Sequence, residues 1–120
     1  MERKDEDMCN LHDYNLILNR IADAYRNVYG AELGNVLVYG SYARGDYDEY
    51  SDIDIVAIVK GERKTLQQLL RQVWDVSSDL EVEYGTIISP TVIPYDEFQQ
   101  YKEVIPYYRN IMLEGVQVSA

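Results

Sequence analysis

Residues 35–59 read NVLVYGSYARGDYDEYSDIDIVAIV, and this stretch decides the fold. Two short apolar runs, Asn35-Val36-Leu37-Val38-Tyr39 and Ile53 to Val59, flank a polar segment. Their length and β-branched content predict two buried strands. Gly40 ends the first strand, and residues 41–51 predict a loop that includes a helical turn. Asp52 and Asp54 bracket Ile53 at the head of the second strand. Side chains two apart in a strand share a face, so both carboxylates point one way while Ile53 and Ile55 point into the core. Val56 and Ile58 follow on the carboxylates' face, which confines the acids to the strand end.

Working outward, Tyr14, Ile17, Leu18, Ile21, Tyr25 and Val28 recur at helical spacing, with Asp13 as a cap and Gly30 as a stop. After the second strand, residues 60–63 predict a turn. Leu66, Leu69, Leu70, Val73, Val76, Leu80 and Tyr84 predict a second helix ending near Gly85. Residues 86–93 predict a third strand. Pro90 cannot donate to a ladder, so that strand belongs at an edge or is bulged. Residues 95–101 and 106–114 predict short helices. The order helix, strand, strand, helix, strand, helix predicts an α/β (α+β) domain over residues 13–120, a small sheet with helices packed on it. Residues 1–12 are polar and predict a flexible tail.

Composition bounds the function. The 120 residues carry 11 Lys+Arg against 21 Asp+Glu, a net charge of −10. Phosphates are repelled by such a surface, so a direct nucleic-acid or anionic-membrane binder is not expected. The 47% hydrophobic content argues against disorder. No apolar run approaches the length of a membrane span, and the charged first ten residues lack a signal-peptide pattern. Cys9, the single cysteine, cannot form an internal disulfide, so a cytoplasmic location is expected. His12 is the only histidine, which leaves no structural zinc set. Twelve tyrosines against one Phe and one Trp suit either the cover of a small core or a partner surface.

The chemistry lies between Gly40 and Asp54. Two carboxylates held together repel, and one protonates unless a cation sits between them. Mg²⁺ takes one or two carboxylates plus substrate phosphates. Gly40 permits a sharp turn and close ligand approach. Ser41 offers a hydroxyl and a backbone N–H at the same sheet end, where α/β folds place ligands. Arg44 either contacts a phosphate or pairs with a neighbouring carboxylate. Gly-Ser alone is an ordinary turn, and Asp-x-Asp alone is an ordinary pair of strand-end charges. Together, bracketing one loop, they predict a metal-bridged triphosphate site. Asp46, Asp48 and Glu49 read as solvated loop charges.

Gly40-Ser41, ten intervening residues and Asp52-Ile53-Asp54 resemble the signature of the DNA polymerase β-like nucleotidyltransferase superfamily. Gly-Ser-Tyr-Ala-Arg-Gly and Ser-Asp-Ile-Asp-Ile are similar to its minimal nucleotidyltransferase (MNT) branch. The resemblance implies a mixed β-sheet with flanking helices, ATP or another nucleoside triphosphate as substrate, and two Mg²⁺ ions. It implies that Gly40 and Ser41 hold the nucleotide, with Arg44 beside them as the phosphate candidate read above, and that Asp52 and Asp54 ligate the metals and are catalytic. Two metals clamp the attacking and leaving oxygens of an in-line displacement at the α-phosphorus. Many active members carry a third carboxylate on the next strand, and residues 86–93 contain none. Glu83, at the end of the preceding helix beside Asp79 and Glu81, is the candidate for that role, as metal ligand and base toward the acceptor.

A nucleotidyltransferase with no further domain resembles the antitoxin of HEPN–MNT toxin–antitoxin pairs. That resemblance implies AMP transfer from ATP to a tyrosine of a HEPN ribonuclease toxin, and a hetero-oligomer with it. Two alternatives remain: an antitoxin that neutralises its partner by binding alone, helped by its acidic surface, or a subunit that modifies a small molecule, as aminoglycoside-type members do.

Overall fold

The computed structural model describes residues 11–47 and 52–118. In chain order they form α1 (Leu11–Tyr29), a 3-10 turn (Gly30–Glu32), β1 (Leu33–Tyr39), α2 (Ser41–Arg44), β2 (Ile53–Val59), α3 (Arg63–Tyr84), β3 (Ile88–Pro94), α4 (Tyr95–Tyr101), α5 (Pro106–Glu114) and β4 (Val116–Gln117). The tail expected at residues 1–12 falls largely outside the described residues, with Cys9, and α1 already includes Leu11 and His12. Asp48 and Glu49 also lie outside them.

The strands form one mixed sheet in the order β3-β2-β1-β4. β1 runs antiparallel to both β2 and β4, while β2 and β3 are parallel. A parallel pair needs a crossover, and α3 supplies it. Pro90 does sit on an edge strand, where its missing N–H leaves no gap in the ladder. β1 begins at Leu33, two residues before the expected start, because a register shift between Leu33 and Asn35 interrupts its alternation. β4 is two residues long and exposed, too short to show a period in sequence.

Each face of the sheet has its own cover. Ile53, Ile55, Ala57 and Val59 pack with Ile17, Ile21 and Tyr25 of α1 and with Leu70, Val73 and Leu80 of α3. Val56, Ile58 and Ile93 on the opposite face pack with Phe98 of α4 and with Tyr108 and Ile111 of α5. β2 is therefore buried on both sides, which explains its nearly continuous apolar sequence. Within the first core the Tyr25 hydroxyl donates to the Thr91 carbonyl at 2.7 Å, so this fully buried phenol has a partner. On the second face Arg63 donates to Glu97 and, at 3.1 Å, to the Tyr108 hydroxyl, and Tyr108 bonds Glu97 in turn. These contacts tie the start of α3 to α4 and α5 and fix the two short helices on the sheet. Among the described residues, no helix is long and apolar enough to cross a membrane.

Candidate active site

The pleat of β2 delivers Asp54 to the α5-covered face at the strand end, where the cover stops. Asp52 and Asp54 are both half-buried. Burial, and then the charge of Asp52, push the Asp54 carboxyl above its ordinary value. Such a pair favours a proton or a cation.

Gly40 lies against Asp54 because Tyr39 is the antiparallel partner of Asp54. The Gly40 backbone has φ 78° and ψ −152°, a region essentially reserved for glycine. A Cβ built there would stand 2.7 Å from Asp54 Oδ2. The glycine thus serves two needs at once: the turn out of β1 and the space that Asp54 occupies. Ser41 follows as the first residue of α2, and its carbonyl accepts from the N–H groups of Gly45 at 2.9 Å and Asp46 at 3.1 Å. The expected helical turn is this four-residue α2.

Arg44 leaves α2 toward solvent. Its Nε donates to Asp46 Oδ2 and its Nη1 to Glu114 Oε1, each at 3.2 Å. The hydrogen bond to Asp46, then that to Glu114, hold the guanidinium above its ordinary pKa. Of the two roles expected for Arg44, carboxylate pairing is present, and it fastens the Gly40–Arg44 turn to α5.

On the other side of β2, the parallel register sets Ser89 opposite Asp54 and Thr91 opposite Val56. Ser89, Thr91 and Ile93 are thus the β3 residues on the Asp54 face. The third carboxylate is absent from this strand, as expected, and Glu83 does not take its place. Glu83 sits in the last turn of α3, which packs on the opposite face of the sheet, and there it accepts a hydrogen bond from the Tyr84 hydroxyl. Glu81, its neighbour, accepts from the Ile88 backbone N–H at 2.8 Å and fixes the start of β3. The reason is topological: the helix layer and the aspartates are separated by the sheet itself.

Three hydroxyls complete the site. Tyr39 and Tyr107 share a hydrogen bond of 2.9 Å between their Oη atoms, and Thr91 Oγ1 lies 3.5 Å from Tyr107 Oη. Tyr39 stands on β1 and Thr91 on β3, so the phenol pair lies across β2, next to Asp54 along the strand. Burial raises the Tyr39 pKa most, with further contributions from the hydrogen bond to Tyr107 and from the Asp54 charge. Sequence reasoning missed this cluster. The only available signals were that Tyr39 precedes Gly40 and that Tyr107 sits beside the inward-facing Tyr108.

Among the described residues, no three His, Cys, Asp or Glu side chains converge to hold a metal unaided. Two hard oxygen donors of like charge do fit a divalent cation whose remaining ligands are phosphate oxygens and water. A cleft of about 410 Å³ lies elsewhere, between α1 and β4, lined by Tyr14, Leu18, Val38 and Val116. Asp52 and Asp54 do not line that cleft; they stand, half-buried, on a ledge at the end of β2.

The chain matches the nucleotidyltransferase domain model over residues 18–118. It is 41% identical over 61 residues to a provisionally named protein adenylyltransferase of Methanocaldococcus jannaschii, covering 51% of this chain and 60% of that relative. A second such protein of that organism is 29% identical over 98 residues, with 82% of this chain and 90% of the relative covered. Among solved structures, a toxin–antitoxin crystal structure with AMP-PNP superposes with a TM-score of 0.55 at 16% identity, covering 86% of this chain and 73% of that one. A mutant of the MntA–HpeT toxin–antitoxin pair superposes with a TM-score of 0.53 at 14% identity, with the same coverage. The structural likeness establishes the fold, and the domain match spans most of the chain. With Gly40-Ser41 and Asp52-x-Asp54 gathered at one sheet end, this protein belongs to the nucleotidyltransferase domain family.

Proposed function

We propose that the chain is an Mg²⁺-dependent adenylyltransferase that moves AMP from ATP to a tyrosine hydroxyl of a HEPN-type ribonuclease toxin, and so acts as its antitoxin. The observation that carries this reading is Gly40 pressed against Asp54, which joins the Gly-Ser turn and the Asp pair into one site. Asp52 and Asp54 would hold the divalent cations. Bound there, the cations neutralise the triphosphate and stabilise charge at the α-phosphorus. Gly40 leaves room for phosphate oxygens beside Asp54. The Ser41 hydroxyl and backbone N–H bind the outer phosphates, and Arg44 is near enough in sequence and space to exchange a carboxylate for one of them. The acceptor enters from the β3 side, over Ser89 and Thr91, opposite the Gly40–Ser41 turn. Relatives named protein adenylyltransferases support a protein acceptor, and the toxin–antitoxin neighbours support a toxin as that acceptor. The resemblance to MNT proteins supports the HEPN class and the tyrosine, and the single cysteine supports a cytoplasmic setting.

The test is a transfer assay. The protein is incubated with ATP, Mg²⁺ and the product of the adjacent gene, and all proteins are weighed by intact mass spectrometry. One or more AMP units on the partner, lost with Asp52→Asn, is the expected result. The absence of a carboxylate on β3 supports a second reading, neutralisation by binding alone. A stable complex without any adduct decides for that second reading.

A further inference from the structure

We propose that Tyr107 is an intramolecular acceptor, so that the protein adenylylates itself on this residue when no partner is present. The inference rests on the adenylyltransferase reading above and adds a modification site to it. The phosphates belong at the Gly40–Ser41 turn at the end of β1, and the cations at Asp52 and Asp54 on β2. An in-line displacement needs its nucleophile on the far side of the α-phosphorus from the leaving pyrophosphate. That side is β3. Tyr107 reaches it from above: its Oη lies 3.5 Å from Thr91 Oγ1 and 2.9 Å from Tyr39 Oη. Tyr39 in turn is the cross-strand partner of Asp54. These two hydroxyls hold the Tyr107 oxygen over Val56, the next residue after Asp54 on that face of β2.

Tyr39 shares this position but is half-buried on β1, and three further tyrosines lie away from it. Tyr25 and Tyr29 spend their hydroxyls on backbone carbonyls of the opposite core. Tyr108 is engaged by Arg63 and Glu97. Tyr107 is 41% exposed, so solvent reaches it. In the step, Tyr107 Oη forms a bond to the α-phosphorus of ATP. The bond from that phosphorus to the oxygen bridging to the β-phosphate breaks, and pyrophosphate leaves. The phenol proton passes to solvent water on the exposed side. The product is an AMP ester on Tyr107 that covers Asp54 and closes the ledge to another acceptor.

The full chain is incubated with ATP and Mg²⁺ alone, weighed intact and mapped by peptide fragmentation. A parallel reaction contains the adjacent-gene product as acceptor. A single AMP on Tyr107, formed at a rate independent of protein concentration, is expected. Asp52→Asn, which keeps Tyr107, loses the adduct, as does Tyr107→Phe. Circular dichroism of both variants checks that they fold. AMP on the partner without AMP on Tyr107 overturns the proposal and leaves the adenylyltransferase reading intact. AMP on another residue, or a rate that rises with protein concentration, also overturns it. No transfer in either reaction removes both.

Discussion

Gly40→Ala separates what the backbone requires from what the site requires, because Gly45 provides a matched control. Both glycines have positive φ, 78° at Gly40 and 84° at Gly45. At Gly45 an added Cβ meets nothing within 4 Å, and the ψ of 7° is the ordinary left-handed region. Gly45→Ala therefore carries only left-handed strain, about 1–2 kcal/mol, or a melting-temperature loss of roughly 4–8 °C. At Gly40 the strain is about 1–3 kcal/mol, and a contact is added. Asp54 Oδ2 has to retreat from 2.7 Å to at least 3.4 Å from the new methyl. That retreat moves a proposed metal ligand by a sizeable fraction of an ångström, and misplacement by about 1 Å costs on the order of 100-fold in rate. We expect Gly40→Ala to melt about 8–12 °C lower and to lose roughly ten- to a hundred-fold in pyrophosphate release. Gly45→Ala keeps its turnover. The assays are a thermal melt by circular dichroism and a coupled pyrophosphate measurement. If the two variants match in turnover, the contact between Gly40 and Asp54 does not position the carboxylate and the reasoning is wrong.

Asp54→Asn is expected to abolish turnover and yet raise the melting temperature in metal-free buffer near neutral pH. Its carboxyl is raised in the folded state, so its favourable contribution is present below the unfolded value and lost as pH rises through the folded one. The charged form thus weakens the fold, and the gain from Asn should shrink as pH falls through the carboxylate range; a lower melting temperature for the variant would contradict this. Tyr25→Phe removes a buried hydroxyl that donates to the Thr91 carbonyl. A loss of about 1–2 kcal/mol in urea unfolding is expected, with ATP binding unchanged. Arg44→Ala breaks two exposed pairs and should leave the melt near wild type. Its expected effect is weaker ATP binding by titration calorimetry, and an unchanged affinity would assign Arg44 to its carboxylates alone.

The sequence was legible wherever one face decided a residue's environment. β2 is apolar on both sides except where its end emerges, so Asp52 and Asp54 stood out against a background of Ile, Val and Ala. The buried positions of α1 and α3 recur at helical spacing because each helix has one sheet to meet. β4 was invisible because two exposed residues carry no period. The start of β1 was shifted by an irregularity that a pattern of alternation cannot register.

What a single chain of letters cannot supply is register between strands, and the acceptor side of the site depends on it. Glu83 is close to β3 in sequence, yet it belongs to a helix packed behind the sheet. Pairing Ile53 with Ile88 puts Ser89 opposite Asp54; a slip of one residue would turn Ser89 away and bring a core residue to the ledge. With that register fixed, the described groups that neighbouring elements bring to the Asp54 face are hydroxyls: Ser89 and Thr91 from β3, Tyr39 from β1 and Tyr107 from α5. Hydroxyls orient an acceptor or serve as one, but an unperturbed alcohol is a poor base near neutral pH. Among the described residues that face thus offers no base beyond the two proposed metal ligands, and under the proposed transfer the acceptor proton would pass by way of metal coordination, the solvent or a group that the acceptor brings.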